Sequence, residues 1–340
     1  MEEKTVILKN LEILDKLNIN YIVKADHAFL DVKTKNVETG EDLSDFNSLS
    51  IELTGQYAGA WKRWSDASAS GRSTDTLLQY LVKQKVLLLD DIKPFLSNAT
   101  EYENIKGKEV VIKDIEPYDF SNMVINPYPF KAENYLVNVR KIAQPIVKKL
   151  ISENLIVQDG RGYLRYMWLN KENKFTGADV QGTSYNYERY GKRGTLKLVL
   201  PGSKGFFHIE TNLAKSISDV TKVIIFEAPA DLISYLEIKA RLLKDQKAML
   251  ISMSGSATKI ESTFSYLKEE FDIDINNIEV VIATDNDEAG DEAFKEANSL
   301  LSSTTKAIRE LPNDGEKILV DGIATTVKDW NDYLKYQKSI

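Results

Sequence analysis

Hydrophobic and polar positions change rhythm repeatedly along the 340-residue chain. In residues 1–20, Ile7, Leu8, Leu11, Leu14 and Leu17 recur at helical spacing and predict a short amphipathic helix. Residues 20–60 switch to short apolar runs between polar turns, such as YIVKADHAFLDV and SLSIELTG, the pattern of a small β-rich unit. Trp61 and Trp64 then precede a Ser/Gly-rich loop. There Ser73 or Thr74 can cap a helix running to about Lys85, and a second short helix spans Leu87 to Leu96. The Trp pair reads either as core packing or as a platform for a stacked base. The polar stretch with Pro117, Pro127 and Pro129 reads as a connection. Leu136, Val139, Ile142, Ile146, Val147, Leu150 and Ile151 predict one helix over 132–154, with Arg140, Lys141, Lys148 and Lys149 on its polar side. From 155 to 210 the runs LIVQDG, GYLRYMWLN, FTGADVQGT, TLKLVLPG and GFFHIE suggest an antiparallel meander.

From about Val220 strand and helix alternate: VIIFEA, AMLISMSG, VVIATD and KAIREL are strands with helices between them, and Trp330 to Tyr336 closes the chain as a helix. Such alternation means a parallel sheet covered on both faces. The expected organisation is therefore a small N-terminal α+β domain over 1–100 and a linker over 101–130. An antiparallel β/helix subdomain over 131–218 and an α/β domain with a Rossmann-like parallel sheet over 219–340 follow.

Two of the predicted strands end in carboxylates. VIIFEA delivers Glu227 and, one helical turn on, Asp231; VVIATDND delivers Asp285 and Asp287, two residues apart and so on one side of an extended chain. Gly290 is read as the residue that lets the backbone turn into the next helix. Parallel sheets place their sites outside the carboxyl ends of the strands. Crowded carboxylates there are relieved by a divalent cation with oxygen ligands, Mg²⁺ or Mn²⁺. Asp329, in KDWND, can join them. Glu227 is open to two roles, ligand or general acid/base. Such a cluster suits phosphoryl or nucleotidyl transfer. Ser254, Gly255 and Ser256 form either a small phosphate-holding turn or a plain strand–helix turn.

Composition narrows the choices. The chain has no Cys and only two His, His27 and His208, which excludes disulfides, thiolate catalysis, Cys-based zinc sites and a His-rich metal site. No long apolar span and no leader pattern occur, so the expectation is a soluble, cytoplasmic protein with no membrane partner. The net charge is -7, yet residues 160–205 hold nine basic residues, including Arg165, Arg193, Lys197 and Lys204, against three acidic ones. Tyr185, Tyr187 and Tyr190 are interleaved with them. Basic residues mixed with aromatics suit a single strand of nucleic acid.

Glu227 in FEAPAD, DNDEAG with Asp285 and Asp287, and KDWNDYL, in that order, resemble the signature of the TOPRIM domain, shared by bacterial-type primases, topoisomerases, recombination mediators and some nucleases. YLRYMWLNKENKFTGADVQG followed by KLVLPGSKGFFHIE resembles the segment before TOPRIM in bacterial-type primases. SLSIELTGQYAGAWKRWSDASASGRSTDTLLQYL resembles their zinc-ribbon domain, here without zinc ligands, so no zinc is expected. The whole is most similar to primase-like proteins of plasmids and phages.

That resemblance implies synthesis of short RNA primers on a single-stranded DNA template from nucleoside triphosphates, in mobile-element replication. Glu227, Asp285 and Asp287 would be catalytic, and Glu227, Asp231, Asp285, Asp287 and Asp329 would be metal ligands. Lys197, with Lys204, Arg193 and Arg165, would contact template or nucleotide. A replicative helicase or mobile-element replication protein is an expected partner. Gln181 stands where the family typically has Arg. A TOPRIM nuclease and a non-catalytic DNA- or partner-binding module are the alternatives.

Overall fold

The computed structural model describes residues 3–24, 27–30, 36–40, 49–54, 58–63, 69–97, 99–113, 118–191, 194–211, 219–255, 259–320 and 323–339. The chain divides into two compact units, residues 1–116 and 117–340.

In the first unit, β1 (Glu3–Leu8) leads into α1 (Lys9–Lys16). An antiparallel five-stranded meander follows, from β2 (Tyr21–Lys24), β3 (His27–Leu30), β4 (Leu49–Glu52) and β5 (Trp61–Arg63) to β6 (Ser70–Gly71). Then come α2 (Thr74–Lys83), α3 (Leu89–Ile92), α4 (Thr100–Glu103) and β7 (Lys108–Lys113). Leu11, Leu14, Leu49, Ile51, Leu77, Leu78 and Leu81 build its core.

Two sequence expectations change here, and one open alternative is resolved. The helix expected over 1–20 starts only at Lys9. The β-branched run Thr5-Val6-Ile7 is extended instead, and Leu8 and Glu3 register opposite Lys108 and Lys113 of β7. The linker expected over 101–130 is in part that partner strand, with Ile105 buried in the core just before it. A partner strand so distant in sequence leaves no local trace. Trp61 is 4% exposed and donates its indole N–H to Thr76 Oγ1 at 3.0 Å, so it is core rather than platform. Trp64 lies outside the described residues. Ser73 caps α2 as expected, its hydroxyl accepting from the Thr76 N–H.

The second unit opens with α5 (Phe130–Asn134), which widens into a π turn at Tyr135–Val139. The single helix expected over 132–154 is broken: Lys141 takes φ +61°, and α6 (Gln144–Ser152) begins afresh with Pro145 in its first turn. Proline cannot continue a helix whose carbonyl four residues back its ring would strike, but it suits a first turn. Next comes an antiparallel sheet in the order β11-β10-β9-β8. It contains β8 (Ile156–Gln158), β9 (Leu164–Leu169), β10 (Phe175–Gln181) and, after α7 (Tyr187–Tyr190), β11 (Lys197–Val199). The last run of the expected meander leaves it: β12 (His208–Glu210) pairs antiparallel with a strand of the next sheet, so that sheet draws an edge from before the expected boundary at 218/219.

That next sheet is built from β13 (Lys222–Phe226), α8 (Pro229–Ile238), α9 (Ala240–Leu243), β14 (Ala248–Ser252), α10 (Ile260–Phe271), β15 (Glu279–Ile282), α11 (Glu288–Leu300) and β16 (Ile308–Arg309). Its order is β12-β14-β13-β15-β16, and its last four strands are parallel. A hairpin of β17 (Lys317–Val320) and β18 (Ile323–Thr326) precedes α12 (Trp330–Gln337). β13 is buried on both sides: Val223 and Ile225 pack toward Ile260, Phe264 and Ala297, whereas Ile224 and Phe226 pack toward Trp168, Phe207 and Trp330. This double burial is what the continuous apolar run encoded. Among the described residues no helix is long and apolar enough to cross a membrane.

Candidate active site

Because β14 and β15 flank β13 on opposite sides, the chain leaves the sheet in two directions at the carboxyl end of β13. A crevice opens there. It is a cleft of about 360 Å³, walled on one side by Glu227, Asp231, Asp285 and Asp329 and on the other by Asp179, Gln181 and Lys197 of β10 and β11.

Glu227 follows β13 directly, and burial raises its pKa, with the charge of Asp287 adding to the effect. Asp285 follows β15, and burial together with Glu227 and Asp329 pushes it up to about 7. Asp287 stands apart. Burial would raise it too, but its Oδ1 caps α11 by accepting from the Gly290 N–H at 3.0 Å, and with Lys328 this holds it below the ordinary value. The ammonium of Lys328 lies 3.1 Å from Asp287 and 3.5 Å from Asp285. The backbone of KDWND is fixed to the same turn, since Asn286 N–H donates to the Lys328 carbonyl at 2.7 Å.

Asp231 and Asp329 are committed differently. Asp231 is fully buried, and its Oδ1 accepts from the Asn331 N–H at 3.1 Å; burial, then Asp329 and Asp285, raise its pKa well above normal. Asp329 is the N-cap of α12, accepting from the Asp332 N–H at 2.6 Å, and burial with nearby Asp332 raises it as well. The Asn331 side chain accepts from Arg140 at 3.2 Å and donates to the Arg140 carbonyl and to Ser234. These acids therefore lock α12 onto α8 while still lining the cleft.

The oxygen donors and their mutual repulsion fit a hard divalent cation. They are not yet gathered around one point. Among the described residues, no group of three or more Asp, Glu or His side chains forms a ready-made metal cage. The Lys328 ammonium stands between two of the expected ligands. Glu227, Asp285 and Asp287 are the residues that could hold the ion once Lys328 moves aside.

Gly290 has an unexceptional φ, so its expected turn role is replaced by close approach: a Cβ there would sit 2.0 Å from the Asp285 carbonyl oxygen. Arg309 fixes that carbonyl from the other side, its Nη2 donating at 2.6 Å.

Of the basic residues expected at the site, Lys197 lines the cleft. Arg165 is not among the lining residues; it pairs with the buried Asp159, donating from Nε at 3.0 Å and Nη2 at 2.8 Å. Lys204 sits on an exposed turn outside the cleft lining, and its N–H donates to the Thr176 carbonyl. Arg193 lies outside the described residues. Gln181 turns its amide to Thr195 Oγ1 at 2.8 Å and to the Gly182 carbonyl at 2.9 Å.

Sequence reasoning missed Lys328, Arg140 and Asp179 as cleft residues. Asp179 accepts from Trp168 Nε1 at 2.7 Å and from Ser254 Oγ at 3.0 Å; burial outweighs both and pushes it up to about 6. Ser254 and Gly255 take positive φ in succession, and the Gly255 N–H donates to the Glu227 carbonyl at 2.6 Å. Here the turn is tied to β13. Ser256 lies outside the described residues.

Residues 224–334 match the family model described as Toprim-like, and residues 134–205 match a family described as a protein of unknown function, DUF3991. An uncharacterized protein of Bacillus anthracis, pXO2-78, is 28% identical over 209 residues, which is 59% of this chain and 56% of that protein, so the match spans about half of the relative's length. Among solved structures, the primase fragment of the bacteriophage T7 primase-helicase protein is 12% identical. It aligns over 91% of this chain and 96% of its own, with a TM-score of 0.41. The DnaG catalytic core is 13% identical over 62% of this chain and 70% of its own, with a TM-score of 0.35. The Toprim-like match covers the strand ends that carry Glu227, Asp285 and Asp287 and the turn that carries Asp329, and residues 224–334 form a Toprim-like domain.

Proposed function

We propose that this protein is a primase-type nucleotidyltransferase of the cytoplasm. It would join ribonucleoside triphosphates into short primers on single-stranded DNA, in the replication of a mobile element and beside a helicase or replication protein of that element. One observation carries the reading: half-buried, mutually repelling carboxylates at the ends of β13 and β15 share a single cleft with Lys197 of β11.

Asp285 and Asp287, with Glu227 as a third candidate ligand, would hold Mg²⁺ or Mn²⁺, which would supply neutralisation of the phosphate oxygens and of the leaving pyrophosphate. The rest falls to side chains. Lys197 faces these acids across the cleft and draws in the triphosphate. Where Glu227 is left free of the ion, its carboxylate can take the proton of the attacking 3′ hydroxyl as that oxygen bonds to the α-phosphorus and pyrophosphate departs. Asp231, Asn331 and Arg140 keep α12, and with it Asp329, in place.

One observation favours a second reading, a nucleic-acid-binding module without chemistry: the Lys328 ammonium already pairs with Asp285 and Asp287. Primer synthesis on single-stranded DNA with labelled ribonucleotides and Mg²⁺ or Mn²⁺, comparing wild type with Asp285→Ala, separates the two. Short products lost in the variant support priming. DNA binding unchanged in the variant, with no product from either protein, supports the module.

A further inference from the structure

The loop between β10 and β11 presents two aromatic rings to solvent. Tyr185 is 51% exposed and Tyr187 62%, yet their rings lie nearly parallel, 16° apart in plane with centroids 5.8 Å apart. Exposed tyrosines are rarely held together unless the backbone arranges it, because ordering them costs side-chain entropy. Here the backbone does. The Gly182 N–H donates to the Leu196 carbonyl and the Asn186 N–H to the Gly194 carbonyl, which closes the loop into a hairpin. The Thr183 hydroxyl ties its base to the Gly162 carbonyl at 2.9 Å. Asn186 Oδ1 accepts from the Arg189 N–H at 2.8 Å and fixes the turn that follows. Gly194, at φ +67°, forms the floor: a Cβ there would lie 2.6 Å from Tyr187 Cε1 and 2.9 Å from Tyr185 Cδ1. Only glycine lets both rings rest on that backbone.

We propose that Tyr185 and Tyr187 form a preorganised stacking platform for the bases of single-stranded DNA at the rim of the acidic cleft. The hairpin leads directly to the cleft, because Gln181 and Lys197, the two residues paired at its base, both line it. A base inserted between two rings needs about 6.8 Å, twice the ~3.4 Å stacking rise. At 5.8 Å the rings occupy each other, so a base takes an outer face. The partner follows from chemistry. Duplex DNA hides its base faces, whereas a single strand offers them, and the basic excess of residues 160–205 matches its phosphates. This deepens the priming reading, which supplies the identity of the strand.

The test is equilibrium binding of a fluorescein-labelled single-stranded oligodeoxynucleotide, read by anisotropy in EDTA without nucleotides, so that catalysis plays no part. Tyr187→Ala is expected to weaken binding about tenfold, within the range for one lost base stack, while Tyr187→Phe stays within about twofold of wild type. Neither change alters the slope of log K against log salt, since no phosphate contact is lost. An oligonucleotide of abasic residues is expected to bind wild type at least as weakly as the intact strand binds Tyr187→Ala. The proposal is overturned if wild type does not bind the strand, if Tyr187→Ala binds like wild type, if Tyr187→Phe is as weak as the alanine variant, or if abasic DNA binds undiminished. Should the platform hold while primer synthesis is absent, only the catalytic reading fails.

Discussion

Asp285→Asn is expected to stabilise the metal-free protein at alkaline pH. In the folded chain Asp285 titrates at about 7 because burial, Glu227 and Asp329 all oppose its charge; unfolded, it returns to about 3.8. Between these pH values the folded state keeps a proton that the unfolded state has released. Folding stability therefore falls as pH rises through that window and levels off above it. At about 1.4 kcal/mol per pH unit, the cost to wild type at pH 8 is roughly 4 kcal/mol. Asparagine keeps the shape of the side chain and escapes this cost. The gain should shrink steeply toward pH 4 and vanish below about pH 3, where the aspartate is protonated in both states. Because the chain has two compact units, a global melt mixes their transitions. Hydrogen exchange of the β13 and β15 amides reports the relevant sheet. Mg²⁺ at a hundredfold excess over its dissociation constant should return about 2.7 kcal/mol to wild type and none to the variant. A variant no more stable than wild type at pH 8, or equally stabilised at pH 4, would refute the argument that charge crowding strains this site.

Three further outcomes follow from the same geometry. Lys328→Ala removes a half-exposed ammonium competing for Asp285 and Asp287, so Mn²⁺ affinity measured by calorimetry or spin resonance should rise several-fold, equivalent to about 1 kcal/mol; weaker binding would make Lys328 a helper rather than a competitor. Gly290→Ala drives a methyl group against the Asp285 carbonyl and should cost about 1–3 kcal/mol of stability along with metal binding, whereas an unchanged melting curve would show that the turn can yield. Arg165→Ala leaves Asp159 buried and unpaired, and should destabilise the second unit by about 3 kcal/mol; a fall in DNA affinity with stability intact would instead return Arg165 to the binding surface.

The sequence showed the acidic wall of the cleft better than the opposite wall, for a physical reason. A parallel strand buried on both faces is a continuous apolar run, and its end is marked by the first charge. Glu227 and Asp285 could therefore be placed without any knowledge of their neighbours. Asp179 carries no such mark. It sits inside β10, and only the pairing of Val180 with Arg165 and Leu198 shows which strands frame it. Lys328 was visible as part of KDWND, but a lysine before an aspartate reads as an ordinary solvated charge until Asn286 draws that backbone to the DND turn. Arg165, expected to face nucleic acid, pairs in the structure with Asp159 six residues earlier, in QDGRGYLR. A carboxylate and a guanidinium flanking one tight turn between adjacent strands have a partner at hand before any ligand arrives.

The two matched segments of the second unit are one structural object, and this bears on how the site works. Trp168 of β9 packs in the same core as Phe226 of β13 and Trp330 of α12, and β12 lends an edge to the parallel sheet. Arg140, from the π turn region before α6, reaches Asn331 beside the third acidic motif, and Asn331 in turn holds Asp231. Buried networks of this kind are costly when half satisfied, so loss of any member should disturb the others. Asn331→Ala would leave Arg140 and Ser234 without a shared partner and loosen the start of α12. Asp329 would then lose its fixed place at the cleft although its own residue is untouched. A double-mutant cycle between Asn331→Ala and Arg140→Ala, read on Mn²⁺ affinity, should show coupling of about 1 kcal/mol or more, whereas additive effects would mean that each residue serves its own element alone.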